Sequence, residues 1–283
     1  MRERKMKEKN LYLVTGEECS LGRTTIEVVE AAINGEVDIV QMREKSASLV
    51  RLKELGERLS DMCSKSGVIF IVNDDPMLAK EVGAHGVHLG QEDVKTCPVD
   101  FARDILGQDG IIGLSTHSVD EAKEGMRSGA DYIAFGPVFP TKTKDYFIGK
   151  DDIPEVLGFS NKPVVLIGGI NGGNISEVLS LGAQNIAMIR QITEAEDIER
   201  EVRSLKGKIV SSAEKKGVNV KINGEMGELE REMSIFEMIE AKGLKPERVV
   251  IEHNRRIVPK DTWAEVFLRG GDNIEILSFV GGG

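Results

Sequence analysis

The sequence predicts an α/β fold: a (β/α)8 barrel, the TIM barrel, over residues 1–210, a linker at 211–217, and a small α+β domain at 218–283. Two observations predict the barrel. Short apolar runs alternate eight times with amphipathic stretches between Leu11 and Leu205, and polar or glycine-rich motifs follow nearly every run. Repeats of that kind close into a barrel whose reactive groups sit on the loops after the strands. An open doubly wound sheet is the alternative, but it would gather its ligand residues at one switch point. A third observation predicts the second domain: the pattern changes after the small, polar stretch from Ser211 to Gly217.

In chain order, the barrel strands are read at 11–15, 38–42, 68–72, Gly86–Leu89, 111–114, Tyr132–Phe135, 163–167 and 185–189. Helical spacing lies between them, most plainly over 48–66 and 118–128. Beyond the linker, Val218–Ile222 alternates and Asn223-Gly224 signals a hairpin, so Glu228-Leu229-Glu230 continues as a second strand. Ser234 is placed to cap a helix over Ile235–Ala241, which Lys242-Gly243 ends. Val249–His253 and 275–280 are further strands, giving a module of the ubiquitin-like β-grasp kind. The last strand runs into Gly281-Gly282-Gly283. Glycine threads a narrow channel at little steric cost, so the tail's carboxylate is a candidate chemical handle; a frayed end is the alternative.

Composition narrows the function classes. A net charge of −10 argues against nucleic-acid binding, which wants a basic face. Apolar runs fall short of the ~20 residues of a membrane span, and the charged start Met1-Arg2-Glu3-Arg4-Lys5 does not resemble a signal peptide. Cys19, Cys63 and Cys97 share no metal-like or redox-like spacing, which suggests unremarkable thiols in a reducing cytosol. A cytoplasmic protein is expected, and a homo-oligomer is left open.

The motifs after the strands carry the chemistry. In Gln41-Met42-Arg43-Glu44-Lys45, alternate residues of an extended segment share a face, so Gln41, Arg43 and Lys45 point together. One amide and two cations at a barrel mouth suit a phosphorylated heterocycle; a solvated charged loop is the alternative. Asp74, in Asn73-Asp74-Asp75-Pro76, and Asp93, in His88-Leu89-Gly90-Gln91-Glu92-Asp93, top adjacent strands. Such carboxylates facing phosphate fit Mg²⁺ better than an acid/base pair. Helix capping is the other reading of this segment, and Asp75 suits it. His85 and His88 read as packing or supporting residues. Thr141-Lys142-Thr143-Lys144, framed by Gly136-Pro137, suits a phosphate clamp, as does Gly168-Gly169-Ile170-Asn171-Gly172-Gly173 after the seventh strand; a tight turn is the alternative for those glycines.

Together with Ser115-Thr116-His117, and in this order, these motifs resemble thiamine phosphate synthase over residues 10–205. That family joins a pyrimidine carrying a methyl diphosphate to a thiazole phosphate, releasing pyrophosphate. The resemblance implies that Gln41, Arg43, Lys45, Asn73, Ser115 and Lys144 hold the pyrimidine diphosphate and that Asp74 and Asp93 bind Mg²⁺. It implies that Thr141, Lys142, Thr143, Gly169, Ile189 and Arg190 hold the thiazole phosphate. No covalent nucleophile is implied. Two departures stand out: Arg190 occupies a place where the family usually has serine, and the stretch from Asp93 to Ser115 is a few residues longer than usual.

Residues 218–283 resemble the sulfur carrier of thiazole biosynthesis, on Asn223-Gly224, Ser234, the Val249–His253 strand, Pro259, Trp263 and the glycine end. The resemblance implies an adenylating enzyme and a thiazole synthase as partners, with Gly283 reactive and Gly282 giving slim access. Two alternatives remain. The tail module is a non-reactive interaction domain, or the barrel is another phosphate-binding isomerase or aldolase, which would want a Schiff-base lysine or a general base inside a strand.

Overall fold

The computed structural model describes residues 6, 8–142, 145–212, 218–229 and 233–278. The chain divides into two compact units, Met1–Val210 and Ser211–Gly283. In the first, β1 (Asn10–Val14), β2 (Ile39–Met42), β3 (Ile69–Asn73), β4 (Gly86–Leu89), β5 (Ile111–Thr116), β6 (Tyr132–Phe135), β7 (Val164–Ile167) and β8 (Asn185–Met188) form a closed barrel in sequence order. All neighbours are parallel, and β1 closes on β8 with Leu11 opposite Ile186. Helices follow the strands: α1 (Thr25–Asn34), α2 (Leu49–Ser66), α3 (Pro76–Glu81), α4 (Val99–Leu106), α5 (Val119–Arg127), α6 (Ile153–Phe159), α7 (Ile175–Ser180), α8 (Arg190–Thr193) and α9 (Ile198–Ser212).

Period-2 alternation divides the barrel strands other than β4 between two apolar cores. Leu11 and Leu13 face outward and pack with Val28, Val29, Leu55 and Leu59 under the helices. Tyr12 and Val14 face the lumen with Ile39, Ile71, Tyr132 and Val165. Polar side chains fix where the helices start. Ser48 caps α2, Asp75 caps α3 by accepting from the Leu78 N–H at 2.9 Å, and Ser118 caps α5. Thr24 and Glu27 form a reciprocal capping box on α1. Among the described residues, no helix is long and apolar enough to cross a membrane.

Ser211 and Ser212, read from sequence as linker, instead end α9. The helix runs on because Leu205 and Ile209, one turn apart, are both fully buried. Residues 213–217 lie outside the described residues.

The second unit is a five-stranded sheet in the order β10-β9-β13-β11-β12 with one helix. Its strands are β9 (Val218–Ile222), β10 (Glu225–Leu229), β11 (Val249–His253), β12 (Arg256–Val258) and β13 (Asn273–Ser278), and its helix is α10 (Ile235–Ala241). The Asn223-Gly224 turn has both φ values positive, 50° and 83°, as a tight hairpin of this hand requires. Ser234 and Glu237 form a capping box on α10. The core gathers Val220, Ile235, Met238, Ile251 and Ile274 around Trp263, which is 1 % exposed. Strand β12 was not anticipated. It pairs with β11 through a turn at Asn254 and Arg255, both left-handed, where no glycine announces the bend.

Candidate active site

The carboxyl ends of the barrel strands open into a cavity of about 1360 Å³. Every described residue singled out for the barrel's substrates or metal lines it. From β2 to β5 come Gln41, Arg43, Lys45, Asn73, Asp74, Asp93 and Ser115; from the later loops come Thr141, Lys142, Gly169, Ile189 and Arg190. Thr143, Lys144, Gly282 and Gly283 lie outside the described residues.

The reason for the first convergence differs from the period-2 argument. Strand β2 stops at Met42, so Arg43 and Lys45 are not strand residues. Glu44 is held on the other side instead. Its carboxylate accepts from Thr15 Oγ1 at 2.6 Å, Thr25 Oγ1 at 2.7 Å and the Glu17 N–H at 2.8 Å. Anchoring Glu44 to the start of α1 leaves its two basic neighbours on the cavity side.

Asp74 has a left-handed backbone, φ 68°, which aspartate tolerates better than most residues. Its carboxyl is pushed up to about 7, first by burial and then by the hydrogen bond and charge of Asp93, against the opposing pull of Arg43 and Lys45. Asp93 Oδ2 accepts from the Gly90 N–H at 3.0 Å. A Cβ on Gly90 would lie 2.7 Å from that oxygen, so the glycine lets Asp93 fold back over the end of β4. Two carboxylates thus face each other beside two cations. Among the described residues there is no cluster of three or more His, Cys, Asp or Glu that could cage a metal ion.

Gln41 is 4 % exposed. Its Nε2 donates to Asn73 Oδ1 at 2.6 Å, and its Oε1 accepts from the Tyr12 hydroxyl at 2.9 Å. Ser115 Oγ lies 2.9 Å from His88 Nε2, and Gln91 Nε2 donates to the Ser115 carbonyl at 2.5 Å. Burial holds the His88 imidazole down to about 4, so it is neutral near pH 7. His85 Nδ1 accepts from the Phe70 N–H at 2.9 Å, a structural role. Sequence reasoning missed Tyr12 and Tyr132. The available signal was that two of only three tyrosines fall inside barrel strands.

The loops after β6 and β7 are built on each other. The Val138 N–H donates to the Ile167 carbonyl and the Phe139 N–H to the Gly168 carbonyl, each at 3.0 Å. Gly168 and Gly169 have φ of 97° and 67°. A Cβ on Gly169 would come within 2.5 Å of the Pro140 carbonyl oxygen, so only glycine fits that approach. At the β8 end, Arg190 is ion-paired with Glu194 one turn along. The Arg23 guanidinium ties this segment down through the carbonyls of Thr193 and Ala195.

Residues 11–192 match the family model described as thiamine monophosphate synthase, and residues 220–283 match the ThiS family. The chain is 43 % identical over 203 residues to the thiamine-phosphate synthase of Haloquadratum walsbyi, covering 70 % of this chain and 90 % of that protein. Among solved structures, the thiamine phosphate pyrophosphorylase from Pyrococcus furiosus is 34 % identical with a TM-score of 0.66, covering 72 % of this chain and 97 % of that one. KGPDC from Streptococcus mutans, 16 % identical with a TM-score of 0.56 and covering 72 % and 99 %, shares the barrel fold alone.

Proposed function

This chain belongs to the thiamine monophosphate synthase family, a transferase of thiamine biosynthesis with a C-terminal sulfur carrier-like domain, and we propose how its residues divide the work. One observation carries the reading: Gln41, Arg43, Lys45, Asp74, Asp93 and Ser115, drawn from separate motifs, line one cavity with the loops after β6, β7 and β8. That cavity has room for two substrates side by side. Gln41 and Asn73 address the pyrimidine ring, Ser115 the same substrate, and Arg43 and Lys45 its diphosphate. Thr141, Lys142, Gly169, Ile189 and Arg190 address the thiazole phosphate. Thr143 and Lys144, which lie outside the described residues, are assigned by sequence to the thiazole phosphate and diphosphate sets respectively.

Asp74 and Asp93 fit Mg²⁺. Asp74, whose proton affinity is raised by burial and by the neighbouring Asp93, marks a site short of positive charge, and one or two carboxylates completed by phosphate oxygens is what Mg²⁺ takes. When bound, the ion supplies charge neutralisation to the departing diphosphate. The chain's own residues do the rest by position. Arg43 and Lys45 hold the leaving group's charge as the bond from the pyrimidine methylene to the diphosphate oxygen breaks. The two loop systems bring the thiazole nitrogen to that carbon, where it gives its electron pair to the new carbon–nitrogen bond. No side-chain nucleophile takes part. The test is pyrophosphate release by the full chain with both substrates and Mg²⁺; no release at saturating substrate would remove the reading.

For the second unit we propose a thiocarboxylate at Gly283, with Gly282 giving slim access. A partner enzyme adenylates the terminal carboxylate with ATP, sulfur replaces AMP, and a thiazole-forming enzyme receives the sulfur. Intact mass after incubation with the adenylating partner, ATP and a sulfur donor tests this. The gain is that of one sulfur replacing one oxygen; an unchanged mass with an active partner would make the module a non-reactive interaction domain.

A further inference from the structure

Gln41 and Ser115 stand at opposite sides of the cavity floor, yet a single run of hydrogen bonds joins them through the barrel lumen. Asn73 Oδ1 takes a bond from Gln41 at 2.6 Å, and Gln41 Oε1 takes one from Tyr12 at 2.9 Å. The Tyr12 and Tyr132 hydroxyls lie 2.9 Å apart. Tyr132 Oη is 3.0 Å from His88 Nδ1, and His88 Nε2 is 2.9 Å from Ser115 Oγ. The chain visits β3, β2, β1, β6, β4 and β5 in turn. We propose that Tyr12, Tyr132 and His88 are positioning residues that set which hydrogen-bond donors and acceptors Gln41, Asn73 and Ser115 turn toward the substrate ring.

The protons held along this run fix its direction. The two phenols and the imidazole are 2 %, 1 % and 8 % exposed, so water is a poor substitute for any partner in the run. Burial pushes both phenols above their ordinary range and keeps the imidazole neutral, so each of the three holds one exchangeable proton. Tyr12 gives its proton to Gln41 Oε1. Its oxygen then accepts from Tyr132, whose oxygen accepts from His88 Nδ1–H. His88 Nε2 is left bare and accepts from the Ser115 hydroxyl. One sense runs from end to end. At one end, the Asn73 amide N–H groups and the second N–H of Gln41 are donors. At the other, Ser115 offers only lone pairs.

A ring with bare nitrogens and an exocyclic amine is the complement of that face. An oxo ring, with a carbonyl for the amine and an N–H for a bare nitrogen, opposes it. Space for the run is built in at Gly113 in β5. A Cβ there would overlap the Tyr132 ring and come within 2.5 Å of His88 Nδ1.

The inference rests on the reading of this cavity as the pyrimidine site, and its test separates the two. Pyrophosphate release by the full chain is compared for the 4-amino pyrimidine diphosphate and its 4-oxo analogue, in wild type, Tyr12→Phe and Tyr132→Phe. Freed from Tyr12, the Gln41 amide can turn over. The ratio of kcat/KM values for the two rings should then narrow by about tenfold or more, the scale of one misdirected buried hydrogen bond. A merely structural role would lower both rates together and leave the ratio intact. Nitrogen-15 NMR of the histidines in wild type gives an independent readout: His88 should hold its proton on Nδ1 at neutral pH. An unchanged ratio in both variants, or a proton on Nε2, overturns the inference while leaving the family reaction standing. No release from either ring by wild type overturns the reading of the site and this inference with it.

Discussion

The two units place their reactive groups in opposite ways. In the barrel, side chains from separate strand ends line one cavity, and hydrogen bonds from below hold several of them; Glu44, Tyr12 and Tyr132 do this from outside the cavity lining, and His88 from the cavity wall. In the C-terminal unit the described structure is a small packed scaffold around Trp263, and the proposed reactive group lies at Gly283, beyond β13. A cavity site depends on the fold's interior at many positions. A tail site depends on the fold only for presentation. Substitutions should therefore act on one unit's chemistry and spare the other's.

The sharpest separation comes from Asp93→Ala. Removing one of two facing carboxylates should lower the rate of pyrophosphate release on the order of a hundredfold or more, the usual scale for a lost charge-stabilising group. The tail's mass gain should be unaffected; a wild-type rate would show that Asp93 is not a metal ligand. Gly113→Ala comes next. Its Cβ would drive into the Tyr132–His88 contact, and overpacking of this kind costs about 1–3 kcal/mol. Calorimetry should show a lower barrel transition; an unchanged one would mean that the lumen has slack here. Ser234→Ala removes the capping box of α10, at about 1 kcal/mol, and should lower only the second unit's transition. A slowed coupling rate in that variant would break the separation. The smallest effect is expected for Arg190→Ser. Because Glu194 already engages Arg190, the KM for the thiazole phosphate should move by no more than about threefold at constant kcat, as for a partly exposed ion pair.

Much of this was legible in the sequence, for identifiable reasons. Barrel strands announce themselves as apolar runs, and their cavity-lining residues sit at or just past their carboxyl ends, so Gln41, Asn73, Asp74 and Ser115 are readable as motifs. What stayed hidden was set by three-dimensional neighbours. In a strand buried on both faces, Leu-Tyr-Leu-Val does not say that Tyr12 faces a lumen with a partner across it. The glycine at 113 looks like any glycine until Tyr132 and His88 occupy its Cβ space. Arg43 and Lys45 both line the cavity although the strand alternation ends before them, and Glu44's anchor supplies the cause. Strand β12 escaped because it is three residues long and follows a left-handed turn at Arg255. Ser211 and Ser212 read as linker because small polar residues end helices as readily as they form links.

The barrel cavity is proposed to join the two substrates while the tail serves a separate function. Pyrophosphate release by the full chain, measured alongside the same chain carrying Gly283→Val, tests it most directly. Release should require both substrates and proceed at the same rate in the two proteins. Release that fails in wild type at saturating substrates, or that falls with the tail substitution, would contradict it.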